Sequence, residues 1–265
     1  MGEVADLWLL DAESGVTTRF TADGAITSQP VWSPDGRNIL FTHLGSGVIW
    51  RKPANGIGDE QVVTERSYRA LAWDWSRDGR WVLTRESGLD TKYDIWKLAV
   101  TPDGKMREGV PPTPYVRTPF NEQMGRFSPE TSPRWVAYGS DESGRSEVYI
   151  DAFPEPRGKK RISTSGGEFP KWGGGGRELF YVSPENKLMA ASLRLGSDTV
   201  EPSAPRELFQ LPLRSPAGAM YEPSRDGQRF LVLTSPEAAL QSLTVIVNWP
   251  VLLKKGTTVP GKSVE

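Results

Sequence analysis

The apolar positions of this chain come in short runs broken by small polar turns, and the runs recur. "VWSPDGRNILFT" begins at Val31, "DWSRDGRWVLTR" at Asp74, "RFSPETSPRWVAYGS" at Arg126, "KWGGGGRELFYVS" at Lys171 and "EPSRDGQRFLVLT" at Glu222. Each reads as a short strand, a tight turn and a second apolar strand. With Ser33, Ser76, Ser128, Gly173 and Ser224 as marks, the copies recur every 43 to 52 residues. The turns themselves fall at 33–36, 76–79, 128–131, 173–176 and 224–227.

The turn chemistry is explicit. In Ser33-Pro34-Asp35-Gly36, proline presets φ, aspartate bonds back to local backbone, and glycine takes the left-handed position that a side chain resists. The second and fifth copies keep the aspartate and glycine. Glu130-Thr131 replaces them in the third, and Gly173 to Gly176 fill the fourth. That glycine run is not a phosphate loop: no Lys-Ser or Lys-Thr follows it, and "RELFYVS" reads as a strand rather than a helix. On this reading, replacing it with Ser-Pro-Asp-Gly stabilises the turn slightly.

Between the copies lies a second repeated pair: "DLWLLD" then "TTRFT", "GVIWRK" then "EQVVT", "YDIWKLAV" then "PYVRT", "EVYIDAF" then "KRIST", "KLMAASL" then "RELFQ". A full unit is therefore four strands, a-b-c-d, in about 45 residues, the size of a propeller blade. The chain opens on a c–d pair, has four whole units and closes on a, b and c. The predicted fold is all-β: a β-propeller of four-stranded antiparallel blades, five or six of them, or the C-terminal part of a larger ring. One domain spans 1–253, with a disordered tail over 254–265. A strand from the N-terminal pair is expected to close the last blade, and an open edge invites self-association.

Composition narrows the picture. The 27 glycines and 22 prolines disfavour helices, and the 10 tryptophans suit strands. A net charge of −1 gives no field for nucleic acid or an anionic membrane. Without cysteine there is no disulfide or thiolate chemistry. "MGEVADLWLL" does not read as a signal peptide, and "LTVIVNWPVLL" is too short to span a bilayer.

The repeats carry a resemblance. "PVWSPDGRNILFT…GVIWRKPANG…EQVVT" resembles the TolB-type, WD-like propeller repeat. "DWSRDGRWVL", "FNEQMGRFSP", "SDESGRSEVYIDAFP", "GGEFPKWGGGGRELFYVSPENKLMA", "SRDGQRFLVLT" and "TVIVNWPVLLKK" resemble, in that order, the C-terminal propeller of bacterial serine/threonine kinases. The resemblance implies a ligand- or protein-binding sensor or scaffold, extracytoplasmic or periplasmic, with no cofactor. The chain has no Gly-rich loop with a strand lysine, no His-Arg-Asp and no Asp-Phe-Gly, so phosphoryl transfer is not implied.

Candidate chemistry is sparse. His43 is the single histidine. It has no Gly-x-Ser-x-Gly elbow to serve and reads as a surface or turn residue. No catalytic residue and no metal set is assigned. Asp141, Glu142 and Glu147 lack EF-hand spacing and read as a solvated loop, as does "RGKKR" at 157–161. Trp32, Trp75, Phe127 and Trp172 precede the turns and read as packing between blades, as do Trp8, Trp50 and Trp96 on the c strands. The segments leading into strand a place Gln29, Arg69, Glu122, Gln123, Glu168 and Tyr221 at one channel mouth, where a small polar ligand or a protein partner would bind. The alternatives are a hydrolase or lyase using Glu122 and Glu168, or the gating propeller of a prolyl-peptidase-like enzyme.

Overall fold

The computed structural model describes residues 5–11, 14–22, 24–64, 70–88, 91–212, 221–234 and 242–247. The predicted tail, 254–265, lies outside them. Among the described residues every regular element is a β-strand except one three-residue turn. No helix there is long and apolar enough to cross a membrane. The chain divides into two compact units: Met1–Phe127 with Thr131–Pro133, and Ser128–Glu130 with Arg134–Glu265.

Unit 1 starts with a two-stranded sheet, β1 (Trp8–Leu10) and β2 (Thr17–Arg19). A four-stranded antiparallel meander follows: β3 (Thr27–Trp32), β4 (Asn38–His43), β5 (Val48–Pro53) and β6 (Gln61–Val62). The next is β7 (Leu71–Trp75), β8 (Trp81–Ser87), β9 (Tyr93–Ala99) and β10 (Thr113–Val116). The last strand of this unit is β11 (Glu122–Phe127), strand a of the third copy.

Unit 2 continues that copy with β12 (Trp135–Ser140), β13 (Glu147–Ala152) and β14 (Lys160–Arg161), paired in order. Then come β15 (Glu168–Gly173), β16 (Glu178–Val182), β17 (Lys187–Leu195), β18 (Val200–Pro202) and β19 (Arg206–Gln210). The expected d strand is β19, which pairs with the first half of β17. The repeat pattern does not announce β18, which folds back on Leu193–Leu195 as an extra hairpin. A three-stranded sheet ends the described chain: β20 (Tyr221–Pro223), β21 (Arg229–Thr234) and β22 (Ser242–Val247).

The turns are built as their residues dictate. The Ser33 hydroxyl donates to Asp35 Oδ1 at 2.6 Å and accepts the Asn38 amide at 2.9 Å, while Asp35 accepts the Arg37 amide at 3.0 Å. Ser76 with Asp78 and Ser224 with Asp226 repeat the arrangement. In the third copy Ser128 alone does the work, accepting the Arg134 and Trp135 amides at 3.2 and 3.0 Å. These bonds hold the Asp35 and Asp226 carboxyls below their ordinary pKa, the serine hydroxyl contributing most.

The glycine run is a turn between β15 and β16, but its geometry overturns the expected benefit of Ser-Pro-Asp-Gly. Gly174, Gly175 and Gly176 have φ of 56°, 68° and 92°. Proline cannot adopt the first of these. A Cβ on Gly173 would stand 2.1 Å from Phe180 Cε2. The glycines make room for the Phe180 ring and for a left-handed backbone.

The aromatic before each turn packs on the preceding blade. Trp75 joins Val31, Leu40 and Ile49, and Trp172 packs against the core of Trp135, Ala137 and Ile150. Phe127 is buried as well. Trp32 departs from the expectation: it is 51% exposed, and Trp8 is 59% exposed. Among the described residues the sheet ahead of Trp32 consists of β1 and β2. Leu7 and Leu9 do pack on Phe20, Ile39 and Phe41. His43 also departs from its reading. It is buried, with its ring 5.5 Å from that of Phe41 and 5.2 Å from that of Trp50, and with Nε2 3.3 Å from Glu60 Oε2.

Candidate functional site

Strand a carries a bulge at one fixed register. In β3 two residues, Gln29 and Pro30, oppose Phe41, between the pairs Ser28–Thr42 and Val31–Leu40. In β15, Phe169 and Pro170 stand between the pairs Glu168–Val182 and Lys171–Phe180. In β7 the shift falls between Ala72 and Asp74. The first bulge residue is left-handed although it is not glycine: φ is 56° at Gln29, 55° at Phe169 and 62° at Met124, the equivalent residue of β11. Such backbone costs about 1–3 kcal/mol per residue and re-aims the neighbouring side chains.

In the second to fifth copies the residue two places before the mark stitches neighbouring strands together. In unit 1, Asp74 Oδ2 accepts the Phe127 amide at 2.7 Å, and the Arg126 guanidinium donates to the Trp73 carbonyl and lies 5.5 Å from the Trp73 ring centre. In unit 2, Lys171 pairs with Glu222. These charged groups were absent from the predicted set. Their signal was available: acid and base stand at one register in successive copies.

The predicted residues are treated differently by the fold. Arg69 lies outside the described residues. Gln29 is half-buried at its bulge. Glu122 is 1% exposed, and its carboxylate accepts the hydroxyl of Thr118 at 2.5 Å and the Thr118 amide at 3.3 Å. Glu168, in unit 2, is half-buried at the start of β15. Tyr221 is buried and donates its hydroxyl to the Phe169 carbonyl at 2.7 Å, satisfying the bulge. Gln123 is half-buried, and its Oε1 is 3.5 Å from Arg85 Nη1.

Arg85 is the residue that sequence reasoning missed. It lies on β8 opposite Ile95, where the other copies carry Thr42, Gly139 and Val182 opposite Ile49, Val148 and Leu188. An arginine among small and apolar equivalents was the legible clue. Its guanidinium lies 4.0 Å from the centre of the Tyr93 ring, and its Nε is buried without a hydrogen-bond partner. Burial lowers its pKa, with Tyr93 partly opposing the effect. It remains a cation at physiological pH.

The loop acids also sort themselves. Glu147 is fully buried, accepting Arg145 Nε at 2.8 Å and the Ser163 hydroxyl, while Ser163 accepts the Val148 amide at 2.7 Å. The reading of Glu147 as part of a solvated loop is therefore corrected: it closes a buried relay. Glu142 pairs with Lys159. Two surface depressions, of about 420 and 370 Å³, lie along Met106–Pro111 and between β17 and β18. Neither gathers the groups described above. Among the described residues no three acids or histidines form a metal cluster.

Comparison places this architecture among known proteins. No protein-family profile matches the chain. An uncharacterized peptidase, YuxL of Bacillus subtilis, is 31% identical over 111 residues, 40% of this chain and 15% of that protein. The uncharacterized protein Atu1656 of Agrobacterium fabrum is 37% identical over 68 residues, 25% of this chain and 23% of that one. The chain thus matches less than a quarter of either relative's length. Among solved structures, TolB from Acinetobacter baumannii has a TM-score of 0.69 at 15% identity, over 92% of this chain and 57% of that one. An oligogalacturonate lyase in complex with manganese gives 0.61 at 14%, over 93% and 68%. The Myceliophteria thermophila Cps50 (Swd1) β-propeller domain gives 0.56 at 12%, over 97% and 78%. At these identities the likeness shows the fold alone: the sheets are blades of the β-propeller type, and the similar structures are TolB-like and WD-type propellers.

Proposed function

We propose that the chain is a non-catalytic binding propeller, a sensor or scaffold module that recognises a small ligand or a protein partner on unit 1 at the end where strand a begins. The observation that carries this reading is the state of Glu122. An acid–base carboxylate must reach a substrate proton. Glu122 is buried and is engaged by Thr118 instead. Gln29, Gln123 and Arg85, at the same end, are groups that recognise rather than transfer protons. The similar structures include TolB and an oligogalacturonate lyase on one fold, so the fold itself does not choose between binding and catalysis. The resemblance to kinase-linked propellers supports a sensing role and an extracytoplasmic setting.

The test pairs a thermal-shift screen of polar metabolites and oligosaccharides with mass spectrometry of every hit. Saturable stabilisation with the ligand recovered unchanged is expected. A hit consumed in excess of the protein overturns the reading.

A second reading is favoured by the 31% identity to YuxL over 111 residues: a propeller that gates a peptidase-like catalytic domain. This chain would need that domain from elsewhere, because its one histidine, His43, is buried between Phe41 and Trp50.

A further inference from the structure

We infer that Arg85, Tyr93 and Gln123 form a binding site for a carboxylate group. The inference rests on the binding reading above and names its ligand chemistry. Arg85 pairs with none of the carboxylates among the described residues. Glu86 and Asp94, opposite each other on β8 and β9, belong to the other face of the sheet by strand alternation. Asp94 is engaged by the Thr91 hydroxyl and by Arg117, whose Nε is 3.9 Å away. Glu122 is held by Thr118. Among the described residues, what remains around Arg85 is a ring face, a long contact to an amide oxygen, and a buried Nε–H with no acceptor.

A desolvated cation without a counter-charge destabilises the fold that holds it. The arrangement does suit an incoming anion. Tyr93 covers one face of the guanidinium and so leaves its edge for recognition. A carboxylate entering in that plane accepts two parallel N–H groups, fork to fork. One guanidinium matches one negative charge; a phosphate dianion would find half its charge unmatched.

The test uses the whole chain and follows the Nε–H resonance of Arg85 by NMR during titration with benzoate, its neutral isostere benzamide, and inorganic phosphate. Benzoate is expected to give a saturable shift, binding about tenfold or more tighter than benzamide, and Arg85→Lys is expected to lose most of that preference. Arg85→Met keeps an aliphatic chain on the Tyr93 ring. It is expected to abolish benzoate binding and to melt at the same or a higher temperature. The inference is overturned by benzoate that gives no saturable shift, by benzamide or phosphate that binds as well as benzoate, or by an Arg85→Met variant that melts several degrees lower. The two readings fail separately. A carboxylate ligand that is bound through Arg85 and then consumed sinks the binding reading alone. Neutral ligands bound unchanged, with no carboxylate bound, sink the Arg85 site alone.

Discussion

Asp74 holds its Oδ2 2.7 Å from the amide nitrogen of Phe127 and its Oδ1 2.9 Å from that of Trp75. One carboxylate on β7 thus fastens the innermost strand of the next copy. Asp74→Ala leaves the amide of buried Phe127 without this acceptor. The expected loss is about 1.5–3 kcal/mol, the range for a hydrogen bond to a charged group. Asp74→Asn keeps part of it. Urea denaturation of both variants checks the order; equal midpoints would show that the contact contributes nothing.

The glycine run gives the next expectation. Changing Gly173–Gly176 to Ser-Pro-Asp-Gly forces a side chain into Phe180 and a proline into φ of 56°. The variant is expected to be less stable by at least about 3 kcal/mol. Calorimetry showing an unchanged melting temperature would mean that the turn rebuilds itself.

Trp32 and Trp75 share a repeat position, yet their environments differ. Trp75→Ala empties a packed site and is expected to cost about 3–5 kcal/mol. Trp32→Ser removes a ring that is 51% exposed and is expected to cost under about 1 kcal/mol. Chemical denaturation of the two variants distinguishes them, and a comparable cost for both would place Trp32 in a buried contact in solution.

Two pH limbs follow from the titrating groups. Asp35, Asp103 and Asp226 are held below the ordinary carboxylate value, first by Ser33, Thr101 and Ser224 respectively. Their contribution is fully present above the unfolded value of about 3.9 and is lost as pH falls through the lower folded values. Asp35→Asn should flatten the acid limb of a urea-midpoint series run down to about pH 2; an unaltered slope counts against the Ser33 bond.

The pKa values of Tyr181 and Tyr149 are both raised by burial, and Tyr181 is expected to contribute to the alkaline limb. Burial, assisted by the charge of Glu147, pushes its pKa up to about 12. A raised folded value gives stability that is complete below the unfolded value of about 10 and is lost as pH rises through the folded one. Ionisation followed at 295 nm should coincide with unfolding, and Tyr181→Phe should move that unfolding to higher pH. Coincident curves for the wild type and the variant would assign the limb to another group.

The blades were legible because each copy repeats the same apolar spacing around the same turn chemistry. Their strand order follows from short connections alone. What the repeat could not carry is whatever depends on the neighbour across a blade face. Trp32 and Trp75 have identical local sequence logic, yet Trp75 is buried among Val31, Leu40 and Ile49 while Trp32 is exposed. Glu122 and Gln123 are adjacent and equally polar. Strand alternation sends one to Thr118 and the other toward Arg85, and the left-handed Met124 follows. Arg85 was hidden for the opposite reason. It stands in strand b, away from the segments that lead into strand a, and only pairing of the copies in register exposes it. β18 leaves no trace in the repeat because it is an addition to one copy.

The Ser-centred turns satisfy their polar groups within their own residues, as Ser33, Asp35, Arg37 and Asn38 do. Apart from β19, which pairs with β17 past the β18 hairpin, the described strands pair only with chain neighbours. During synthesis, then, a complete hairpin is available as soon as its last residue leaves the ribosome, and no described strand of these meanders waits for a partner encoded far downstream. Translation order becomes assembly order, and a lesion in one copy delays only the step at which that copy is laid down.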